Sequence, residues 1–341
     1  MTKTTIVALF SLIFMVFHAE LITKGAASGL LLWYSSVVPA LFPFMVLSAM
    51  LSVSGGISRL VRPFAVIFRF SGLSPEGIYV LLTGLFCGCP MGAKTCADFL
   101  TEKRISPGEA RFLFALCNHP SPMFLTGFVY PMFAAHIPLS SFVFAIYMPL
   151  LLLAIPAYRI YQNASPRHSD VLFSSCNPKF GDASGSVFSL DTAILDSAEI
   201  LVKIGGYLIF YSILILVIQN THGIPDPVRL FFSGVLEITT GIRSVSDSLP
   251  YPYSAIAAAA IFSFGGFSAM SQINAVLRLH RSSAETAATA APNVFLQNSL
   301  YRTEKTAGLS IRQYLLWKIA HAALTAAIMA VLTGVLRFHI F

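Results

Sequence analysis

Two apolar stretches, one in each half of the chain, are interrupted by glycine at comparable places. The first reads Gly84-Leu-Phe-Cys-Gly-Cys-Pro-Met-Gly-Ala-Lys94, and the second reads Ile261-Phe-Ser-Phe-Gly-Gly-Phe-Ser-Ala-Met270. A helix break is costly in lipid unless the freed backbone lines a cavity or is buried in protein. Paired breaks of this kind in two halves of a chain mark the binding site of many transporters. The sequence therefore predicts two repeats around a shared site.

The composition places the chain in a membrane. Of its 341 residues, 56% are hydrophobic and 11% are charged, whereas a soluble domain carries about 25% charged residues. The net charge of +7 is spread over short loops, which suits anionic lipid headgroups better than nucleic acid. We therefore predict an all-α, polytopic integral membrane protein of the cell membrane, with the lipid bilayer and not nucleic acid as a partner.

Membrane spans need about twenty apolar residues. The clear candidates are 4–20, 29–53, 138–161, 197–219 and 313–338, and the interrupted ones are 77–100, 109–134 and 253–279. We divide the chain into an N-terminal transmembrane helix (1–27), a first repeat (28–161), a polar linker (162–191) and a second repeat (192–341). The apolar run after Lys3 could also be a signal peptide, but a retained helix fits the amount of membrane that follows.

Two further stretches, 58–70 and 228–245, mix arginine with apolar residues. This pattern is typical of helices that lie at the membrane interface or pack on a bundle. We predict that neither stretch spans the membrane.

Four of the five cysteines fall close together in the first half. The pair Cys87 and Cys89 lacks the two-residue spacing of zinc sites and lies in an apolar run. Free cysteine is a common small filler of buried segments. We therefore predict packing and no metal site for the full set, Cys87, Cys89, Cys96, Cys117 and Cys176.

The first glycine-broken segment predicts an anion site. Gly88, Pro90 and Gly92 stop a helix in an apolar run, and Cys89 lies at the break. The amides at the start of the next helix attract an anion, and Lys94 adds a full charge. The alternative for Lys94 is that its ammonium only extends to the membrane interface.

The second segment offers hydroxyl and amide groups in place of charge. Gly265 and Gly266 interrupt this stretch. If a helix restarts after Gly266, Ser268, Ser271 and Gln272 fall near one face and could bind a polar solute. Backbone carbonyls at the same break could hold a dehydrated coupling cation. The alternative is that these small residues only pack against a neighbouring helix.

Two polar groups interrupt other apolar stretches. Around the two prolines of Asn118-His-Pro-Ser-Pro122, Asn118 and Ser121 could face a polar cavity, and His119 could relay protons or be held by a hydrogen bond. In the second half, Glu237 precedes Thr239 and Thr240. Its carboxylate could couple a cation or pair with a nearby cation.

The cations available to Glu237 in that alternative are Arg243 and Lys203. Enzyme signatures are missing from the sequence: there is no nucleophile elbow, no zinc-protease motif and no phosphate-binding loop. We therefore predict a non-enzyme without catalytic residues, metal or cofactor.

These segments resemble the nucleoside-recognition, or Gate, domain family of bacterial membrane proteins. The resemblance rests on five segments, 38–44, 89–104, 117–123, 236–241 and 263–272. It covers the chain from about Leu31 onward. Two departures are His119, where a small hydroxylic residue is expected, and a polar insert, 282–309.

The resemblance implies a fold of two inverted repeats related to nucleoside transporters and ferrous-iron permeases. For the sporulation proteins of that family it also implies passage of dipicolinate, a small dianion, across a forespore membrane. Our leading hypothesis is a transporter or facilitator for a small polar anion. The alternatives are a nucleoside or ion permease, a scaffold or accessory subunit that moves no solute, or an intramembrane enzyme that uses Cys89 and His119. The sequence is compatible with both a monomer and a homo-oligomer.

Overall fold

The computed structural model describes residues 3–53, 57–68, 72–161, 189–289 and 309–339. These residues form helices joined by short connections, and they contain no β-strand. Nearly all of the predicted polar linker and most of the predicted insert lie outside the described residues, as does Cys176.

The helices are numbered in chain order. Their bounds are α1 Lys3–Phe17, α2 Ala19–Leu32, α3 Val38–Val53, α4 Ile57–Phe68, α5 Pro75–Cys87, α6 Met91–Thr101, α7 Pro107–Leu116, α8 Pro122–Phe124, α9 Leu139–Tyr161, α10 Leu190–Asn220, α11 Asp226–Leu236, α12 Ile238–Ser248, α13 Tyr253–Phe264, α14 Gly266–Thr289 and α15 Ile311–His339. Two π-helical turns, Trp33–Val37 and Leu125–Val129, follow α2 and α8.

Four stretches of the described chain are long and apolar enough to cross a membrane. They are Leu139–Tyr161, Leu190–Asn220, Tyr253–Leu277 and Ile311–Gly334. They confirm the expected spans in those regions, including the interrupted one at 253–279. Near the N-terminus, Thr5–Phe17 and Ala19–Val37 meet at an angle of 99° and together pass the same test.

Serine caps place the starts of α5 and α7 side by side. Ser74 caps α5 by accepting a hydrogen bond from Gly77 N–H at 3.0 Å, and Ser106 caps α7 by accepting one from Glu109 N–H at 3.2 Å. In each case a proline follows the cap, where its missing N–H costs nothing. The Glu109 carboxylate then accepts from Ser74 N–H at 2.7 Å and from the Ser74 hydroxyl at 2.8 Å. This carboxylate therefore ties the two helix starts together.

The two glycine-broken segments take different forms. In the first, α5 ends at Cys87, the chain turns through Gly88, and α6 packs back against α5. In the second, α13 and the first part of α14 lie in the single stretch Tyr253–Leu277, interrupted at Gly265. The first break therefore folds a helix back, whereas the second interrupts a helix that continues.

A second folded-back pair forms where one amphipathic stretch was expected. The stretch 228–245 divides at Glu237 into α11 and α12, which pack against each other. The two helices approach closely, since a Cβ added to Gly241 would lie 2.4 Å from the Gly234 Cα atom. The packing on the bundle agrees with the prediction, but the break at Glu237 was not anticipated.

Candidate functional site

The break between α5 and α6 packs directly on the break between α7 and α8. Gly88 has φ 76°, and a Cβ added to it would lie 2.6 Å from the His119 carbonyl oxygen. Cys89 N–H donates a hydrogen bond to that carbonyl at 3.0 Å. Pro90, which follows a cis peptide bond, is buried and precedes α6. Four of the predicted residues, Gly88, Cys89, Asn118 and Ser121, therefore lie at one junction of two breaks.

Asn118 is the buried polar centre of the α7–α8 break. Its side-chain Nδ2 donates to the Phe114 carbonyl at 3.1 Å, which fixes the orientation of the amide. Its Oδ1 atom has no hydrogen-bond partner among the described residues, and it lies 3.0 Å from a Cβ built on Gly92. Ser121 accepts from Phe124 N–H at 3.2 Å and so caps the short helix α8.

Lys318 and Tyr314 of α15 reach the same break. The Tyr314 hydroxyl donates to the Asn118 backbone carbonyl at 2.8 Å, and Lys318 Nζ donates to it at 3.2 Å. Lys318 is only 2% exposed. No carboxylate of the described residues lies within 4 Å of its ammonium group. An ammonium group has three N–H donors, so Lys318 keeps donor capacity beyond this carbonyl.

The second glycine break lies on the other side of Lys318. A Cβ built on Gly265 would lie 3.8 Å from Lys318 Nζ. The next residue, Gly266, has φ 80°, and a Cβ built there would lie 3.2 Å from the Leu236 carbonyl oxygen. Both glycines need the left-handed backbone region that other residues rarely adopt. The break in α13–α14 therefore contacts both Lys318 and the junction of α11 with α12.

α14 carries two of the predicted polar site residues. Ser268 and Gln272 are buried, and Gln272 Nε2 donates to the Ser268 hydroxyl at 3.3 Å. α14 packs against α6, and the Cys89 thiol lies 3.6 Å from the Ala269 carbonyl oxygen. The two broken segments found in the sequence are thus in direct contact through Cys89 and α14.

Lys94 forms its ion pair within α6 and not with the residues around Lys318 and Asn118. Its ammonium pairs with Asp98 one turn further along α6, at 2.9 Å, and both side chains are about a quarter to a third exposed. This charge is therefore already neutralised by a neighbour, whereas that of Lys318 has only uncharged partners within the described part of the chain. Lys94 as an anion ligand stays a prediction.

Glu237 caps the helix that follows it. Its carboxylate accepts from Thr239 N–H at 2.9 Å and from Thr240 N–H at 2.8 Å. Among the described residues the carboxylate forms no ion pair with Arg243 or Lys203, because Arg243 lies 3.9 Å from Asp247 and Lys203 pairs with Glu199. A coupling or pairing role of Glu237 stays a prediction. The carboxylate is buried and stabilises the start of α12 through its backbone amides.

We expect Glu237→Ala to lower the free energy of unfolding by about 1–2 kcal/mol, because two buried amide donors lose their acceptor. Glu237→Gln, which keeps one side-chain oxygen, should lose less. Thermal unfolding of the detergent-purified protein measures both. The matched control is Glu199→Ala, because Glu199 is exposed and pairs with Lys203 one turn away on the same helix, so its loss should cost little. Equal destabilisation by both alanine variants would contradict the capping role.

The described cysteines are free thiols. Cys87, Cys96 and Cys117 are buried and Cys89 is partly buried. Across the described ranges, no three His, Cys, Asp or Glu side chains are grouped as metal ligands. The Cys96 thiol donates to the Ala110 carbonyl at 3.3 Å, so this cysteine joins α6 to α7.

Sequence reasoning missed Lys318 and His321, although a signal for both was present. They lie in a stretch that is apolar enough to span a membrane, Ile311–Gly334. An ionisable residue inside such a stretch is a functional-site hypothesis by default. The mean hydropathy of α15 is high enough for a membrane span despite these two polar side chains, so hydropathy alone does not single them out.

Comparison with known proteins gives one informative relative. The chain is 28% identical over 296 residues to the sporulation integral membrane protein YlbJ of Bacillus subtilis, in a match that spans 76% of this chain and 71% of the relative. No family model matches the chain, and no solved structure matches it. Together with the apolar helices, this similarity supports an integral membrane protein related to a sporulation protein.

Proposed function

We propose that the protein is a membrane transporter or facilitator for a small polar anion. The observation that carries this proposal is Lys318, a buried lysine at the meeting point of the helix breaks whose described partners are uncharged. A buried charge in a membrane span is costly, and it is usually retained because it binds a substrate or an ion. The name of the relative refers to sporulation and to the membrane and specifies no solute.

We also propose that the fold contains two inverted repeats. The order of the helices along the chain indicates which helices of the two repeats correspond, and this correspondence differs from the one predicted from the sequence. α5 and α6 fold back on each other and are followed by α7, a break and α8. α11 and α12 fold back on each other and are followed by α13, a break and α14. In this pairing the break at Gly88 corresponds to the break at Glu237, and the break at Asn118 corresponds to Gly265. The sequence alone instead predicts that the break at Gly88 corresponds to the break near Gly265.

Close glycine contacts support this pairing. A Cβ added to Gly92 would lie 2.9 Å from the Gly84 Cα atom, and a Cβ added to Gly241 would lie 2.4 Å from the Gly234 Cα atom. Each folded-back pair therefore crosses where one glycine meets another. Transporters with inverted repeats bind their substrates between such elements, which is where Lys318 lies here.

The charge of the site favours an anion over a neutral nucleoside. Among the described residues Lys318 Nζ donates a hydrogen bond to one acceptor, the Asn118 carbonyl, so its other N–H donors can bind a carboxylate. Charge-assisted hydrogen bonds of this kind are about twice as strong as neutral ones. Dipicolinate, the dianion that the family resemblance implies, has two carboxylates and fits this chemistry. Its passage across a forespore membrane is part of the proposal.

The test is flux in reconstituted vesicles. Purified protein in liposomes should exchange external radiolabelled dipicolinate for internal unlabelled dipicolinate, well above the rate in protein-free liposomes. Uridine serves as the neutral comparison. Uridine exchange without dipicolinate exchange would instead support a nucleoside permease. Exchange of neither solute would overturn the transport proposal in favour of a scaffold or accessory subunit.

A further inference from the structure

Most of the buried polar side-chain atoms without a hydrogen-bond partner, among the described residues, lie around His119. Four buried side-chain atoms in the described part of the chain have no hydrogen-bond partner, namely Asn118 Oδ1, Tyr147 Oη, His321 Nδ1 and Arg229 Nε. Three of these belong to the residue next to His119 or to rings that contact it. The His119 ring lies 5.9 Å from the His321 ring and 6.4 Å from the Tyr147 ring, between centroids. Buried polar atoms nearly always have a partner, so this concentration needs a cause.

The hydrogen bond of His321 shows which ring nitrogen is free. His321 Nε2 lies 2.8 Å from the Ile146 backbone carbonyl oxygen. A carbonyl oxygen can only accept a hydrogen bond, so Nε2 carries the hydrogen. In the neutral ring Nδ1 is then an unprotonated lone pair, and it is the atom that lacks a partner among the described residues. His321 is therefore oriented as a base with its free nitrogen inside the bundle.

Polar groups of α13 lie near the His321 ring. The Ser263 backbone carbonyl faces this ring in addition to that of Ile146. From α13 the other polar group is the Ser263 hydroxyl, which donates to Thr325 at 2.9 Å. The α7–α8 break contributes His119, and α9 contributes Tyr147 on the far side of His119.

The charged neighbour of both histidines is Lys318, on the same helix as His321 and one turn before it. Around Lys318 itself lie Tyr314 and the Cys89 thiol. Within the described ranges no carboxylate forms an ion pair with this group. Two positive charges side by side are unfavourable, so a proton on His321 needs an anion nearby to compensate.

We infer that the His119–His321 pair is a proton-binding site, and that the protein moves its anion together with a proton. This inference rests on the proposed transport function. The anion enters from one side of the membrane and binds beside Lys318. A proton from that same side of the membrane binds His119 first and is transferred to His321 Nδ1. The anion and the proton leave together on the other side, so that His321 returns to its neutral form and the protons balance. Binding of either species favours binding of the other, because their charges attract.

The experiment uses proteoliposomes that contain a pH-sensitive dye. Radiolabelled dipicolinate is added to the outside solution. With the outside one pH unit more acidic, wild-type protein should accumulate dipicolinate up to about tenfold for each coupled proton, because one unit is a tenfold proton ratio. The interior should acidify as dipicolinate enters. His321→Gln should retain dipicolinate exchange at equal pH and lose both effects of the gradient. His222→Gln, an exposed histidine between α10 and α11, should match wild type.

The outcomes separate the two proposals. Absence of dipicolinate exchange in wild type would overturn the transport function itself. Exchange in wild type without a response to the gradient and without acidification would overturn proton coupling alone, as would full gradient-driven accumulation by His321→Gln. If His321→Gln loses exchange as well, His119→Gln decides the matter. Reduced accumulation with retained exchange in that variant supports the inference, and unchanged accumulation overturns it.

Discussion

Replacing Lys318 with methionine should weaken dipicolinate binding about tenfold or more. A hydrogen bond to a charged group contributes about 1.5–3 kcal/mol, and each 1.4 kcal/mol is a factor of about ten in affinity. Methionine keeps the unbranched side chain and removes the ammonium. Calorimetry on the detergent-purified protein at fixed pH and salt measures the change. Lys318→Arg, which keeps the charge, should lose less affinity than Lys318→Met.

The fold should survive this substitution, so that the loss can be assigned to binding. The Asn118 carbonyl keeps its hydrogen bond from the Tyr314 hydroxyl at 2.8 Å. Replacement of a buried ionic group by an apolar side chain of similar volume is often neutral or stabilising. The melting temperature of Lys318→Met without ligand should therefore equal or exceed that of wild type.

Lys94→Met is the matched control, since it removes the other candidate cation. Lys94 is partly exposed and paired with Asp98 at 2.9 Å, so its loss should change affinity little. The reverse pattern, with a large loss for Lys94→Met and none for Lys318→Met, would return the anion site to the start of α6. Equal affinity in all three proteins would indicate that no lysine charge binds the ligand.

The positions of the glycine breaks could be predicted from the sequence because their cause is local. Gly88 and Gly265 both adopt φ values near +80°, which glycine tolerates and other residues avoid. Apolar content likewise predicts the long spans, such as Leu139–Tyr161. In both cases the signal lies in the residues of the element itself.

The direction of the chain after each break could not be predicted. Gly88 begins a fold-back and Gly265 interrupts a helix that continues, although both are glycines in apolar runs. The difference depends on what each break packs against: Gly88 contacts the His119–Ser121 backbone, whereas Gly266 contacts Leu236 and Glu237. Such contacts join residues about thirty positions apart, and hydrophobic periodicity carries no information about them.

The buried lysine at the helix breaks could not be predicted, for a related reason. Lys94 lies beside the glycine break in the chain, so proximity in sequence made it the candidate. In the structure its neighbour along the helix, Asp98, neutralises it. Lys318 reaches the Asn118 carbonyl from a helix two hundred positions away in sequence, and only the packing of α15 shows this.

Gly92→Val should prevent recovery of folded protein. A Cβ at this position would lie 2.5 Å from the Cys117 carbonyl oxygen and 2.9 Å from the Gly84 Cα atom. Both are backbone atoms, so relief requires α5, α6 and α7 to separate. Forcing even one extra carbon into a packed core costs about 1–3 kcal/mol, and valine adds three. We expect loss of the monodisperse peak in size-exclusion chromatography.

Gly92→Ala tests the same contact with a smaller change whose sign is informative. Alanine is favoured over glycine by about 1 kcal/mol in a helix interior, and Gly92 lies in the first turn of α6, so without a steric conflict the variant would be at least as stable as wild type. We expect a lower melting temperature, because the conflict with the Cys117 carbonyl exceeds the gain in helix propensity. The matched control is Gly334→Ala in α15, where an added Cβ meets no atom within 4 Å and the propensity gain should appear alone. A Gly92→Ala protein as stable as Gly334→Ala would show that the breaks at Gly88 and Asn118 are not held together by close backbone contact. The assembly of the site around Lys318 would then need another explanation.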